Sequence, residues 1–239
     1  NVLYYLFLAS AIQRAGGALP TMIIGTLPVV IAISANLLNH QRDGRFPWLK
    51  LAPPLALILL GIACVNHVEW TALVQNPAGD TTRYITGAML AVGAVVCWTW
   101  YPLKNADWLR GHPDRNPRVW ATAQGLATLP LALLGYAAFW LWTSVTHDPL
   151  PMPLGPRPLE FMGLMMAIGL FASWLGTLCW NAASQRLPTA LAGQLIVFET
   201  LAALAYAFWL RGQWPEPLTL TGIALLVAGV IGGVRVKAV

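Results

Sequence analysis

The sequence predicts an all-α membrane protein, and three observations support this prediction. Of the 239 residues, 57% are hydrophobic and only 10% are charged, whereas soluble domains carry roughly 25% charged residues to face water. The apolar residues come in runs of about 20, the length that a helix needs to cross the hydrocarbon core of a bilayer. The runs are far longer than the strands of a membrane barrel and do not alternate, so helices are predicted throughout.

Seven complete membrane spans are predicted after an opening half-helix, NVLYYLFLASAIQR. Each span is mostly apolar, and the connections between spans are rich in proline, glycine and charged residues, which favour turns. The spans are predicted at 17–38, 50–67, 84–103, 119–143, 161–185, 189–210 and 218–235. Connections are therefore expected at 40–48, 104–118 and 146–160.

Lysine and arginine are distributed unequally between the two ends of these spans. Ten of the 14 basic residues fall at one set of ends and four at the other, and the excess marks the cytoplasmic side. The C-terminus and the connection 104–118 are therefore predicted to be cytoplasmic in a bacterial-type inner (plasma) membrane. Because the basic residues form no clustered face or arginine-rich arm, no nucleic-acid partner is predicted.

The spacing of cysteine and histidine predicts no metal or cofactor site. Cys64, Cys97 and Cys179 lie far apart inside apolar runs, as small buried hydrophobic residues do. The four histidines lie near loops without a second ligand at i+3 or i+4. The common enzyme motifs for nucleophilic, zinc-dependent and nucleotide-dependent chemistry are also missing. We therefore predict that the protein is not an enzyme and has no metal or cofactor.

The chain contains an internal repeat. Residues 9–35 align without a gap on residues 181–207, with a shared Gln-Arg pair and with Ile24 on Ile196. The two copies are five predicted spans apart, and an odd number of spans makes them cross the membrane in opposite senses. Inverted repeats are a recurring construction of secondary transporters, which hold substrate near the midplane between the halves.

At these residues the sequence resembles the EamA family of the drug/metabolite transporter superfamily. The resemblance rests on the Gln-Arg helix ends, the segment CWTWYPL at 97–103, and the mid-helix pairs Leu27-Pro28 and Glu199-Thr200. It implies ten helices in two inverted repeats of five helices, cytoplasmic termini, and export of amino acids or related metabolites. The family often has Glu-Pro or Ser-Pro at the mid-helix position; here the first copy keeps only the proline and the second only the glutamate.

The resemblance also implies how the chain divides. Residues 1–67 correspond to the C-terminal part of the first repeat, helices 3–5 of the full protein, and residues 84–236 to the complete second repeat, helices 6–10. About seven and a half of the ten helices are therefore expected here. The repeat comparison predicts that two whole helices and most of a third precede this stretch in the intact protein.

Two residues deep in the predicted spans are candidates for function. Glu199 lies far from either end of its span, where a charge is costly unless it is paired, hydrated or protonated. It could take up a proton or bind a substrate ammonium group; alternatively, it is a protonated carboxyl bonded to a neighbouring helix. Pro28, in the repeat partner, removes a backbone hydrogen bond and could kink its helix to expose carbonyls toward a cavity, or only for packing.

Polar and aromatic residues at helical spacing suggest a cavity wall. Trp174, Thr177, Asn181 and Ser184 follow i, i+3, i+7 and i+10 and form one stripe; interhelical hydrogen bonding is the alternative. A similar face on the 84–103 span lies nearer the membrane surface, so interfacial anchoring is an equal alternative there. The substrate-cavity candidates are Glu199, Trp174, Asn181, Thr177, Trp98, Tyr101 and Gln194. We predict that Glu199, Trp174 and Asn181 line one central cavity.

These patterns together predict a secondary transporter that exports amino acids or related small metabolites by alternating access. Its partners would be the small-molecule substrate, the lipid bilayer and, as coupling ion, protons. The alternative is an integral-membrane enzyme acting on a lipid or an isoprenoid, which would need clustered Asp, Glu or His at the membrane surface. A third alternative is a non-transporting scaffold, which would not require a buried Glu199.

Overall fold

The protein is all-helical in the computed structural model, which describes residues 2–16, 18–67, 71, 81–146, 151–212 and 214–237. No strand occurs in these residues. The helices are α1 (Val2–Ala15), α2 (Ala18–Gly25), α3 (Leu27–Leu38), α4 (His40–Asp43), α5 (Trp48–Val65), α6 (Thr81–Gly111), α7 (Pro117–Thr146), α8 (Pro158–Ala167), the π-helix π1 (Ile168–Leu175), α9 (Gly176–Arg186), α10 (Thr189–Leu195), α11 (Val197–Arg211) and α12 (Pro217–Val234).

Within the described residues, six helical stretches are long and apolar enough to cross a membrane. They are Leu19–Leu38, Trp48–Val65, Thr82–Gly111, Pro117–Thr146, Pro158–Arg186 and Pro217–Val234, and they correspond to six of the seven predicted spans. The seventh, predicted at 189–210, is divided into α10 and α11. Gly17 of the first predicted span and residues 147–150 of the predicted connection 146–160 lie outside the described residues.

Helix α6 continues beyond its predicted end. The prediction ended the span at 103 and placed a connection at 104–118, but the helix runs to Gly111. Leu103, Ala106 and Leu109 are buried at 6%, 1% and 0% exposure. These three apolar residues lie at every third position and form one buried face of a segment that is otherwise polar. Packing of this face stabilises the helix beyond the end of the apolar run.

Contacts divide the chain into two compact units, chiefly Leu3–Asn105 with Leu187–Val239, and Ala106–Arg186. In the first unit, α5 and α12 approach closely because glycines face each other. A Cβ atom added to Gly61 would lie 2.8 Å from the Gly222 carbonyl oxygen, and one on Gly229 would lie 2.9 Å from the Pro54 carbonyl oxygen. Small residues let membrane helices pack backbone to backbone, which supplies van der Waals attraction where lipid gives no hydrophobic drive.

Helix α1 packs against α6 in the same way. A Cβ on Gly93 would lie 2.9 Å from the Phe7 ring, and one on Gly87 would lie 2.6 Å from the Ala15 Cβ. The Arg83 guanidinium donates a hydrogen bond of 2.9 Å to the Gln13 carbonyl oxygen. These contacts hold the aromatic residues of α1 beside those of α6.

In the second unit, α7 packs against the α8–π1–α9 helix. The Arg110 Nε donates to the Ser184 carbonyl oxygen at 3.0 Å, and the Gln185 amide donates to the Arg115 carbonyl oxygen at 2.9 Å. Both bonds fasten the end of α9 to the segment around residues 110–115. Gln185, of the Gln-Arg pair that the repeat alignment shares, thus contributes a helix-end contact here.

Candidate functional site

The first of two helix breaks lies between α2 and α3. Thr26 donates its backbone N–H to the Ile23 carbonyl oxygen at 3.1 Å and its hydroxyl to the same oxygen at 2.7 Å. Pro28 is the second residue of α3; it has no N–H and its ring crowds the carbonyl of the residue four positions earlier. The chain therefore leaves the α-helical hydrogen-bond pattern here and begins a new helix at Leu27.

The second break lies between α10 and α11, at Ile196. The Ile196 N–H donates to the Gly193 carbonyl oxygen at 3.2 Å, and the Glu199 N–H donates to the Ile196 carbonyl oxygen at 2.9 Å. Both bonds span three residues instead of four, which is the tighter 3₁₀ pattern. The sequence predicted a continuous helix with Glu199 in its middle, whereas Glu199 lies in the first turn of α11. Its carboxylate is favoured there by the helix dipole.

Both breaks pack onto one apolar cluster. Leu27, Ile31 and Val95 are its buried members, and the partly buried side chains against it include Ile24, Ile196 and Trp98. Helix α10 approaches α3 closely, since a Cβ on Gly193 would lie 2.5 Å from the Ile31 Cγ2. The matched residues of the two repeat copies, Ile24 and Ile196, therefore contact the same cluster as the α6 tryptophan.

Three aromatic rings extend from this cluster; we call Tyr4, Trp98 and Tyr101 the aromatic row. The ring centroids of Tyr4 and Trp98 are 5.2 Å apart with planes at 35°, and those of Trp98 and Tyr101 are 5.7 Å apart with planes at 27°. Such offset geometry is preferred because it avoids facing the negative π faces of the rings directly. All three residues are half-buried, so part of their surface is accessible.

Glu199 lies beside the aromatic row. It is one turn beyond Ile196, which packs with Trp98 on the same cluster, and it lies within electrostatic range of the Tyr4 hydroxyl. The Glu199 side chain is exposed. Within the described residues, no lysine, arginine or histidine forms an ion pair with it. The site therefore combines an open carboxylate with aromatic faces.

Gln194 is buried at the end of α10, at 2% exposure. Its Oε1 atom has no hydrogen-bond partner and occupies the space that a side chain on Gly233 of α12 would fill. A larger residue at 233 would therefore displace the Gln194 amide. Gln194 thus packs its side chain from α10 against α12.

The remaining candidates lie in the second unit. The Trp174 indole N–H donates to the Thr122 hydroxyl at 3.1 Å, and the Asn181 amide donates to Gln124 Oε1 at 3.1 Å. Asn181 is fully buried, whereas Trp174 and Thr177 are half-buried. These bonds match the interhelical alternative for this stripe. A common cavity of Trp174 and Asn181 with Glu199 of the first unit stays a prediction.

The π-helix changes how the predicted stripe is arranged. Trp174 belongs to π1, whereas Thr177 and Asn181 belong to α9. A π-helix bonds each residue to the fifth before it, so α-helical spacing does not carry from Trp174 to the later residues. The Arg118 guanidinium lies over the Trp174 ring, 5.7 Å from its centroid, within the distance of a cation–π interaction.

Sequence reasoning missed two contributors to these contacts, Tyr4 and Arg118. Tyr4 stacks on a tryptophan far away in the chain, and its own helix gives no signal beyond an aromatic residue in an apolar run. Arg118 had been counted only as a basic residue at a span end. Both roles depend on which helices become neighbours.

Comparisons with known proteins agree with this fold. Residues 149–234 match the model of the EamA-like transporter family. The chain is 55% identical over 237 residues to the inner membrane protein YtfF of Escherichia coli K12. The aligned region covers 99% of this chain and 73% of YtfF. It is 25% identical over 235 residues to the threonine/homoserine exporter RhtA of the same strain, covering 97% of this chain and 66% of RhtA.

A solved crystal structure shares the fold, with a TM-score of 0.72 at 19% identity over 96% of this chain and 71% of that chain. The six apolar helical stretches agree with an integral membrane protein. With the extensive identity to YtfF and the family match, the chain belongs to the EamA-like transporter family.

Proposed function

We propose that this protein is a secondary transporter of the inner membrane that exports amino acids or related small metabolites by alternating access. Family membership supports transport as the activity. The name of the relative RhtA, a threonine/homoserine exporter, supports amino acids as the first substrates to test. The name of YtfF supports the inner membrane as the location.

The observation that carries the proposal is the meeting of two broken helices beside Glu199. The breaks at Thr26 and Ile196 both pack onto the cluster of Leu27, Ile31 and Val95. Secondary transporters bind substrate near the midplane at discontinuous helices, because a break frees backbone groups and places a helix end at the substrate. Irregular backbone at membrane depth is tolerated where protein or a water-filled cavity surrounds it.

The positions of the breaks also support an inverted repeat. The alignment of 9–35 with 181–207 brings Ile24 onto Ile196, and each copy breaks within two residues of this position. Repeats that share a break can rock about a common centre, which alternately opens the site to either side. We propose that Glu199, Trp98 and Tyr101 face this centre and that Glu199 couples transport to protons.

Efflux from proteoliposomes tests the function. The full chain is reconstituted with internal radiolabelled L-threonine, and initial efflux is measured over a range of external pH. Efflux above that of protein-free vesicles is expected, and Glu199→Gln should slow it at least tenfold and remove its pH dependence. Glu216→Gln is the matched control, because Glu216 is exposed at the start of α12.

Two results would count against the proposal. Efflux equal to that of protein-free vesicles for L-threonine and for a panel of other amino acids would refute amino-acid export. Full efflux by Glu199→Gln at every pH would refute the role of this carboxylate while leaving transport itself in place.

A further inference from the structure

The aromatic row and Glu199 offer one kind of attraction, toward a positive charge. The face of a tryptophan or tyrosine ring is negative and holds cations within about 6 Å of its centroid. Because Tyr4 and Trp98 are only 5.2 Å apart, one small cation above their junction lies within reach of both rings. Glu199, within electrostatic range of the Tyr4 hydroxyl, is the acidic residue of this site.

The same site is poorly suited to a carboxylate. Helix starts attract anions through their free N–H groups, but the start of α11 already carries Glu199 in its first turn. The start of α3 carries no acidic residue, yet Leu27 and Val29 are buried at 3% and 4% exposure, and Pro28 is buried and has no N–H to offer. Neither of the helix starts at the two breaks is therefore suited to a negative group.

We propose that the aromatic row together with Glu199 binds the protonated amino group of the substrate, and that this site does not recognise the substrate's carboxylate. The inference rests on the proposed transport function and specifies which end of the substrate is read. It predicts that an amine without a carboxylate binds, whereas an amino acid with a blocked amine does not.

Binding is tested with matched compounds on the purified full chain in detergent. The probes are L-threonine, L-threoninamide and N-acetyl-L-threonine, with the same three forms of L-phenylalanine, and the readout is the rise in thermal unfolding temperature with concentration. Ligands that bind only the folded state raise this temperature by an amount that grows with the logarithm of the ratio of ligand concentration to Kd. In at least one series the parent and the amide should stabilise the protein at similar concentrations. The N-acetyl form should need at least a tenfold higher concentration.

Variants separate the site from a general loss of structure. Trp98→Ala should weaken amine binding about 5- to 30-fold, the range that a cation–π contact of ~1–2 kcal/mol gives, and Trp98→Phe should restore most of it because a ring face remains. Trp100→Ala is the matched control: Trp100 is 62% exposed on the same helix, about 200° round from Trp98. Glu199→Gln should weaken the amide and the parent equally.

Several results would overturn the inference. They are equal binding of the N-acetyl form, absence of stabilisation by every amine in both series, or unchanged amine binding in both Trp98→Ala and Glu199→Gln. The proposed function fails separately. Efflux of amino acids without amine selectivity would support transport and contradict the amine site. Selective amine binding without efflux would support the amine site and contradict transport.

Discussion

The close packing of α5 on α12 predicts that Gly222 cannot be enlarged without loss of stability. A Cβ atom at Gly222 would lie 2.9 Å from the Gly61 carbonyl oxygen, 2.9 Å from the Cys64 Cβ and 2.8 Å from a Val65 methyl carbon. One of these contacts is to backbone, which a side-chain rotation cannot relieve. Gly222→Ala must therefore push the two helices apart.

The expected cost follows from this geometry. Overpacking by one carbon costs ~1–3 kcal/mol, and three short contacts place Gly222 toward the upper value. Alanine regains up to ~1 kcal/mol of helix propensity, so the net loss is about 2 kcal/mol. At about 2–4 °C per kcal/mol for a chain of this size, the unfolding temperature should fall by roughly 4–8 °C.

The assay compares variants of the full chain in the same mild detergent, by the fraction that stays monodisperse after heating. Gly135→Ala in α7 is the matched control, because a Cβ there meets nothing within 4 Å, and its stability should be unchanged or slightly higher. Gly61→Ala should behave like Gly222→Ala, and the double variant should lose less than the sum because one helix displacement relieves both contacts. Equal stability of Gly222→Ala and Gly135→Ala would refute the backbone approach of α5 and α12.

Three further predictions concern the helix break, the second unit and the orientation. Pro28→Ala supplies an N–H that can bond the Ile24 carbonyl oxygen; it should slow proteoliposome efflux without lowering the unfolding temperature, and unchanged efflux would show that transport does not need this break. Asn181→Leu and Gln124→Leu should show a coupling of about 0.6 kcal/mol in a double-mutant cycle of detergent stability, the average for hydrogen bonds between membrane helices; additive losses would contradict the bond. His112→Cys, with the three native cysteines replaced by serine, should react with an impermeant maleimide only after cells are permeabilised. Labelling of intact cells would reverse the predicted orientation.

Much of the candidate site was predictable from the sequence, residue by residue. Glu199 stands out because an acid inside an apolar run is costly in a bilayer, and Trp98 with Tyr101 stands out by i, i+3 spacing on one helix. The break at Pro28 has a local cause in the missing N–H. The break at Ile196 has no proline beside it and was predicted as continuous helix. Tyr4 gave no signal because its partner Trp98 is distant in the chain.

The sequence by itself determined that this chain is an all-α membrane protein and where most of its spans lie. The reason is physical: a bilayer offers backbone groups no hydrogen-bond partners, so a long apolar run must satisfy them within its own helix. Only the tertiary structure decided that Glu199 lies in the first turn of a helix instead of in the middle of one, and that it lies near Tyr4 and Trp98. Those outcomes depend on which helix faces meet. Gly193, for example, lets α10 approach Ile31 of α3. The sequence pattern of one segment does not predict how its side chains fit against a segment distant in the chain.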